Sequence, residues 1–465
     1  HRDLHSFPTR RSSDLSEGSP AAEAGLQAGD IIMEINGKDM AQGDRTPNEL
    51  TSYVSDNLRG DPGTTCVLKL ERPTADSTYI PMELKITRGT IRTNPVPYYG
   101  MVDKNIGYIA ISTFAIEGCS KDIKKALIEL KQQGATSIVL DLRGNGGGLL
   151  SEAVNVVNFF VPKGKEIVVT KGKIKQAGST YKTSNEPIDM EIPLTVLVDG
   201  ATASAAEIVS GSLQDLDRAV IVGNRTYGKG LVQVPRELPY NSSMKVTTAK
   251  YYIPSGRCIQ AIDYAKRNAD GSVARIPDSL TTVFHTAAGR EVRDGGGIRP
   301  DVEVKAERFP NIMFYLLNDD MIFDYATQYC IKHPNIGEVK DFSVTDADYD
   351  DFKQMLKKRN FTYDRQSEKS LKNLKEIAEF EGYMEGASEE FAALEKKLTH
   401  NLDHELNRFS KQIRKAIAEE IVKRHYFQRG VILERMKDDA DLTKAIETLK
   451  DKEGYTKILS VPADK

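Results

Sequence analysis

The sequence predicts an α/β core, preceded by a smaller α/β module and followed by a helical region. Three observations carry this reading. The runs Ser137–Leu142 (SIVLDL) and Leu194–Val198 (LTVLV) are continuously apolar and of strand length, the pattern of strands covered on both faces. Both deliver the chain into loops of small residues, RGNGGG at 143–148 and DGATASAAE at 199–207, which suits an α/β sheet with its loops gathered beyond the strand ends. From about Phe309 the chemistry signals stop, and over 391–421 the apolar residues recur at spacings of three and four, as in a helix.

In the first module, GSPAAEAGLQAGDIIMEING at 18–37 reads as a short helix stopped at Gly25, a turn at Gly29 and Asp30, and a strand Ile31–Ile35 closed by Asn36 and Gly37. Thr46 caps a helix with Pro47 in its first turn. Leu50, Tyr53, Val54 and Leu58 form its apolar face, and Gly60 ends it. Strands Cys66–Glu71 and Met82–Thr87 follow. This segment resembles a PDZ domain, which implies capture of an extended peptide by its terminal carboxylate. The strands and glycine loop with which such a domain opens would precede Ser16, so a partial domain over 16–90 is expected. Residues His1–Leu15 (HRDLHSFPTRRSSDL) show no apolar periodicity and resemble a translated adapter sequence. They are expected to be non-native or disordered, with the natural N-terminus missing.

A linker at Asn94–Tyr99 leads to the core, expected over 91–305. Strand Ile106–Ile111 comes first, then a helix capped by Ser120 with Ile123, Leu127 and Leu130 on one face and Gly134 at its end. The helical region is expected over 306–465. Within it, Phe391, Leu394, Leu398, Leu402, Leu406, Phe409, Ile413, Ile417 and Ile421 predict one long amphipathic helix.

With 64 Lys and Arg against 67 Asp and Glu the net charge is −3, so no global basic field points to nucleic acid or anionic lipid. No apolar run approaches the ~20 residues of a membrane helix. Cys66, Cys119, Cys258 and Cys330 form neither a C-x-x-C pair nor a His/Cys cluster, so no metal site is indicated.

The chemistry centres on Ser204 in ATASAAE and Lys229 in TYGKG, 25 residues apart. A serine hydroxyl is a poor nucleophile until a base takes its proton, and no histidine lies between the two. A lysine amine, with a pKa of ~10.4 in water, can act as that base when burial lowers it. Attack on a peptide carbonyl creates an oxyanion that needs N–H donors nearby, for which Ala205 and the loop Gly146–Gly148 are candidates. Competing motifs fail on inspection. GNRTYGKG at 223–230 is one residue from a P-loop, but Gly230 replaces the magnesium-binding hydroxyl and a strand-like run follows. Asp346, Asp348 and Asp350 begin a calcium-loop spacing whose sixth and twelfth positions, Asp351 and Lys357, break it; Thr345 with Asp348 reads instead as a capping box. His400 and His404 lack the glutamate of H-E-x-x-H, and His285 stands as an alternative base.

DLRGNGGG at 141–148, DGATASAAE at 199–207, QDLDRA at 214–219 and VGNRTYGKGLVQ at 222–233 resemble the successive signatures of the C-terminal (tail-specific) processing serine peptidases. YYIPSGRCIQ at 251–260 and DGGGIRPDV at 294–302 extend the likeness, and FHTAAGREVRDGGG resembles a β insertion of longer members. The resemblance implies a crotonase-like α/β peptidase core. Ser204 matches the nucleophile, Lys229 the general base, Gln233 the residue that orients the lysine, and Ala205 with Gly147 the oxyanion donors. Glu207, Thr226 and Asp215 match supporting positions, with a structural role favoured for Asp215. It further implies no cofactor, protein or peptide substrates with free C-termini, and a periplasmic or cell-envelope location. The helical region is expected to mediate assembly, as a homodimer or higher homo-oligomer, or to shape substrate access. The competing class is a catalytically silent peptide-binding scaffold.

Overall fold

The computed structural model describes residues 15–40, 43, 45–76, 78–91, 93–173, 178–267, 273–305, 307, 309–398 and 401–460. Residues 1–14, most of the stretch expected to be non-native or disordered, and His400 lie outside the described residues. Two compact units emerge, each from two stretches of chain: one up to residue 92 with 307–438, the other 93–306 with 439–465.

Ser19 caps α1 (Pro20–Glu23), its hydroxyl accepting the Ala22 N–H at 3.3 Å. Then come β1 (Ile31–Ile35), β2 (Lys38–Asp39), α2 (Pro47–Leu58), β3 (Thr65–Pro73) and β4 (Tyr79–Thr87). The strands form an antiparallel sheet in the order β2-β1-β3-β4. Thr46 and Glu49 close a capping box at α2, the Glu49 carboxylate accepting the Thr46 N–H at 2.8 Å. Leu50 and Val54 then turn into one core with Ile35, Met40 and Leu68.

The second unit opens with β5 (Tyr98–Asp103), which takes over the end of the span read as linker, and β6 (Ile106–Ala110). It continues through α3 (Cys119–Gln132), β7 (Ser137–Asp141), α4 (Leu150–Asn158), β8 (Glu166–Lys171), β9 (Ser179–Lys182), β10 (Leu194–Val198), α5 (Ala205–Asp215) and β11 (Val220–Gly223). Next are the long hairpin β12 (Leu231–Leu238) and β13 (Ser242–Tyr252), and the short hairpins β14 (Ile262–Arg267) with β15 (Val273–Arg275) and β16 (Val283–His285) with β17 (Glu291–Arg293). β18 (Val302–Glu303) closes the series. The main sheet runs β18-β11-β10-β7-β6-β5, parallel throughout except for the edge strand β5. A second sheet, β12-β13-β8-β9, is antiparallel.

The helices α6 (Asn311–Asn318), α7 (Met321–Lys332), α8 (Asp346–Lys358), α9 (Gln366–Phe380), α10 (Met384–Leu398), α11 (Leu402–Arg408) and α12 (Ser410–Met436) lie in the first unit. The last two, α13 (Ala440–Lys450) and α14 (Lys452–Ile458), belong to the second. Every residue of β7 and β10 is buried. Ile138, Leu140, Val196 and Ile221 share one core with Leu127, Val156 and Val209 of α3, α4 and α5. The alternate residues Val139, Leu197 and Val222 are buried as well, and α13, with buried Leu442, Ala445 and Leu449, packs on β7, β10 and β11. Side chains alternate across a strand, so a sheet apolar on both faces needs two covering layers. The end of the chain supplies the second.

Two local expectations give way to tertiary contacts. Ser120 does not cap α3; the helix starts at Cys119, behind Gly118 at φ +79°. The Glu152 carboxylate of α4 does the capping, accepting the Gly118 N–H at 3.0 Å and the Ser120 N–H at 2.8 Å. The long helix expected over 391–421 is divided among α10, α11 and α12. Asn401 caps α11 by accepting the His404 N–H at 2.9 Å, and Arg365 donates to the Leu398 carbonyl at the end of α10. Leu406, Ile413, Ile417 and Ile421 are buried, while Leu394 is exposed. The Thr345 and Asp348 capping box is present at α8.

Burial pushes the Glu152 carboxyl up, but the donors from Ser120, Gly118 and Cys119 outweigh it and leave the group below its ordinary 4.5. A carboxyl lowered in the folded state contributes stability above its unfolded value and loses it as pH falls. Wild type is therefore expected to lose more unfolding free energy than Glu152→Gln between neutral pH and about pH 3, measured by urea unfolding. Equal losses would show that this cap is not ionised.

Candidate active site

The parallel strands β7, β10 and β11 end side by side, and the loops that follow them meet at that edge of the sheet. The first two loops are stitched together. Asp199 accepts the N–H groups of Ala201 and Thr202, at 3.0 and 2.9 Å, and that of Gly144 at 3.1 Å. The Thr202 hydroxyl donates to the Leu142 carbonyl at 2.9 Å, and the Ala203 N–H to the Asn145 carbonyl at 2.9 Å.

Ser204 stands at the turn from this loop into α5, half-buried, with φ +59° and ψ −117°. Such a backbone costs roughly 1–3 kcal/mol for a residue with a Cβ and persists only where neighbours enforce it. Gly147 is one of those neighbours. It has φ +95°, and a Cβ there would lie 2.7 Å from the Ser204 Cβ and 2.8 Å from the Ala205 nitrogen. The Ala205 N–H, in the first turn of α5, carries no hydrogen bond among the described residues. The Gly147 N–H differs from expectation: it donates to Asn145 Oδ1 at 2.9 Å, while Asn145 Nδ2 donates to the Ile111 carbonyl at 2.8 Å.

Lys229 lies in the third loop, half-buried. What joins it to Ser204 is Glu207, a fully buried carboxylate one turn into α5. Glu207 Oε2 accepts the Ser204 N–H at 2.8 Å and the Lys229 N–H at 2.9 Å; Oε1 accepts the Gly228 N–H at 2.8 Å and the Thr226 hydroxyl at 2.5 Å. Thr226 in turn accepts the Ile298 N–H at 2.7 Å. Burial holds the Glu207 carboxyl above its ordinary range, although the four donors pull the other way. Hydrogen bonds to an ionised group are worth roughly 1.5–3 kcal/mol each, enough together to hold a carboxylate out of water.

Tyr251 is a site residue that sequence reasoning did not single out. Its hydroxyl donates to the Lys229 carbonyl and lies near the Ser204 side chain. Burial keeps the phenol protonated, well above its ordinary 10. The signal was the strand end YYIPSGR, whose tyrosine reaches the site only because β13 pairs with β12. Gly228 and Gly230 press the lysine loop onto Ala261 and Gln260, with room for no Cβ. A strand rather than a helix follows them, so the near P-loop has no phosphate cradle.

The remaining candidates lie apart from this cluster. Gln233 is exposed on β12, just past a register shift at Val232, and makes no hydrogen bond to Lys229. Asp215 sits at the other end of α5, roughly 16 Å along the helix from Ser204. There it pairs with buried Arg257 at 2.8 Å and accepts the Ser255 N–H at 3.0 Å. Its carboxyl is raised by burial, against the pull of Arg257. His285 is exposed on β16 and lines a separate cavity of about 510 Å³ with Asp215 and Ser255.

Residues 105–266 match the family model described as peptidase family S41, residues 11–72 a PDZ domain, and residues 312–449 the C-terminal helical domain of a probable PDZ-protease. The carboxy-terminal-processing protease of Bartonella bacilliformis is 38% identical over 252 residues, 53% of this chain and 55% of that protein. The carboxyl-terminal-processing protease of Picosynechococcus is 39% identical over 240 residues, 51% of this chain and 55% of that protein. Among solved structures, the photosystem II D1 C-terminal processing protease is 30% identical, with 64% of this chain and 68% of that chain covered and a TM-score of 0.36. The chain belongs to peptidase family S41, joined to a PDZ domain and a C-terminal helical domain. It spans about half the length of the curated relatives it matches.

Glu207→Gln replaces an acceptor oxygen with an amide N–H2, leaving about half of the four donors facing another donor. The expected loss of unfolding free energy is about 1–3 kcal/mol, read from denaturant titration at constant m. A midpoint equal to wild type would mean that the loops keep their arrangement without the carboxylate.

Proposed function

We propose that this chain is a serine endopeptidase of the C-terminal processing kind, working through a Ser204 and Lys229 dyad and an acyl-enzyme. The observation that carries the proposal is the single oxygen, Glu207 Oε2, bonded to the backbone N–H of both residues. It keeps the strained serine and the lysine loop side by side.

In this mechanism the neutral Lys229 amine takes the Ser204 proton as Oγ attacks the peptide carbonyl. The oxyanion forms against the unoccupied Ala205 N–H, with the Gly147 N–H as second donor once Asn145 Oδ1 releases it. Collapse expels the new amine terminus, which leaves with the proton from Lys229, and water activated by the same amine frees the acyl group. Gln233 has the proposed role of orienting the amine, which its exposed position on β12 permits when substrate closes over the site. Glu207 and Thr226 position the loops, and Asp215 anchors the far end of α5 through Arg257. Substrates are unfolded or tail-exposed proteins, with the PDZ domain reading a free C-terminus. The family likeness supports a periplasmic or cell-envelope location and leaves the helical domain to assembly or substrate access.

On a denatured protein substrate, wild type is expected to cleave with a rate that rises toward alkaline pH, as an amine base requires. Ser204→Ala and Lys229→Ala should each fall by at least about 1,000-fold. Equal cleavage by all three proteins would sink the dyad in favour of a silent peptide-binding scaffold. Amidation of the substrate's C-terminus should raise KM more than it lowers kcat; an unchanged KM would remove tail reading from the proposal.

A further inference from the structure

The loop that packs against Ser204 is nearly all glycine, Gly144-Asn145-Gly146-Gly147-Gly148. Glycine gives up the most backbone freedom on folding, so such a loop has to be held from its ends. Asn145 holds it on one side, through the Ile111 carbonyl and the Gly147 N–H. Arg143 holds it on the other, and its anchor comes from 296 residues further along the chain.

The Arg143 guanidinium is shared among three carboxylates. Nε lies 3.0 Å from Asp141 Oδ1 and Nη2 2.6 Å from Asp141 Oδ2, which also accepts the Tyr108 hydroxyl at 2.6 Å. Nη1 and Nη2 reach Asp439 Oδ1 and Oδ2 at 2.9 and 2.7 Å, a two-pronged pair, and Nη1 also reaches Asp441 Oδ2 at 3.1 Å. All three partners are at least four-fifths buried, where a planar fork paired in this way is strong and directional. Asp439 meanwhile caps α13 by accepting the Leu442 N–H at 3.0 Å, and the helix dipole eases the crowding of acids at that end.

α13 and α14 also hold to the sheet through contacts that do not involve these acids. Leu442, Ala445 and Leu449 are buried, Lys450 pairs with Asp103 at 2.6 Å, and the Tyr455 hydroxyl bonds the Leu194 N–H and carbonyl at 2.9 and 3.1 Å. The acids are thus available to act on Arg143.

We propose that Arg143 is a positioning residue through which Asp439 and Asp441 of the C-terminal segment hold the loop Gly144–Gly148 in place against Ser204. This rests on the reading of Ser204 as the nucleophile.

The test uses the full chain with Asp439→Asn/Asp441→Asn together, Arg143→Lys as the charge-keeping variant that loses the fork, and Lys450→Ala as a control on docking. Two readouts are taken: kcat and KM on a denatured protein, and amide exchange of residues 143–149 against 137–141. The double variant and Arg143→Lys are expected to lose about 10-fold or more in kcat with KM within about twofold. Exchange of the glycine loop should quicken by about 10-fold while β7 stays as protected as in wild type. Lys450→Ala should match wild type in both. Wild-type kcat and loop exchange in the double variant would overturn the proposal, as would an equal effect of Lys450→Ala or loss of protection throughout β7. If wild type shows no Ser204-dependent cleavage, the proposed function fails, and loop exchange alone still decides the role of Arg143.

Discussion

The second unit's functional edge depends on one buried carboxylate. Glu207 has no cation beside it among its hydrogen-bond partners; it is held by a hydroxyl and three backbone N–H groups drawn from the lysine loop and the start of its own helix. Removing an acid from water costs several kcal/mol, and donors aimed at it in a low-dielectric setting recover that cost only when they converge closely. Convergence is the useful outcome. It forces Ser204 into a backbone conformation that serine avoids and presses the lysine loop against it.

Glycine makes the convergence possible. At Gly147 and Gly148 a Cβ would fall within 2.8 Å of neighbouring backbone atoms, and at Gly228 within 2.2 Å of the Ala261 side chain. Loops this close cannot carry side chains, so they cannot be stiffened by packing of their own. Stiffness is imported instead: Asp199 ties two of the loops to each other, Asn145 reaches the Ile111 carbonyl just past β6, Arg143 pairs with Asp141 of β7 and Asp439 at the start of α13, and Tyr251 of β13 holds the lysine loop.

Much of this was legible beforehand. The strands β7 and β10, the helix α2 with its Thr46 cap, and the capping box at Thr345 follow from periodicity and local side-chain to backbone bonds, which act within a few residues. Ser204 and Lys229 were singled out through residue types and spacing, and Glu207, whose carboxylate accepts the backbone N–H of both, was already marked as a support. Misreadings arose where a distant group intervened. Glu152 displaced Ser120 as the cap of α3, and Arg365 closes the end of α10 within a stripe of apolar residues that looks continuous in sequence. Tyr251 passed unnoticed because nothing in YYIPSGR shows which face of β13 meets the site.

By itself the sequence determined the strands and most helices, the candidate residues for chemistry and the glycines that let their loops approach, because these properties reside in short stretches of chain. Only the tertiary structure decided that one oxygen of Glu207 serves both Ser204 and Lys229, that Asn145 occupies the Gly147 N–H, and that Asp215 is engaged with Arg257. It also decided that the last helices cover the second face of the peptidase sheet. A hydrogen bond or a packed layer is a relation between residues far apart in the chain, and its partner is chosen by how the strands are ordered in space.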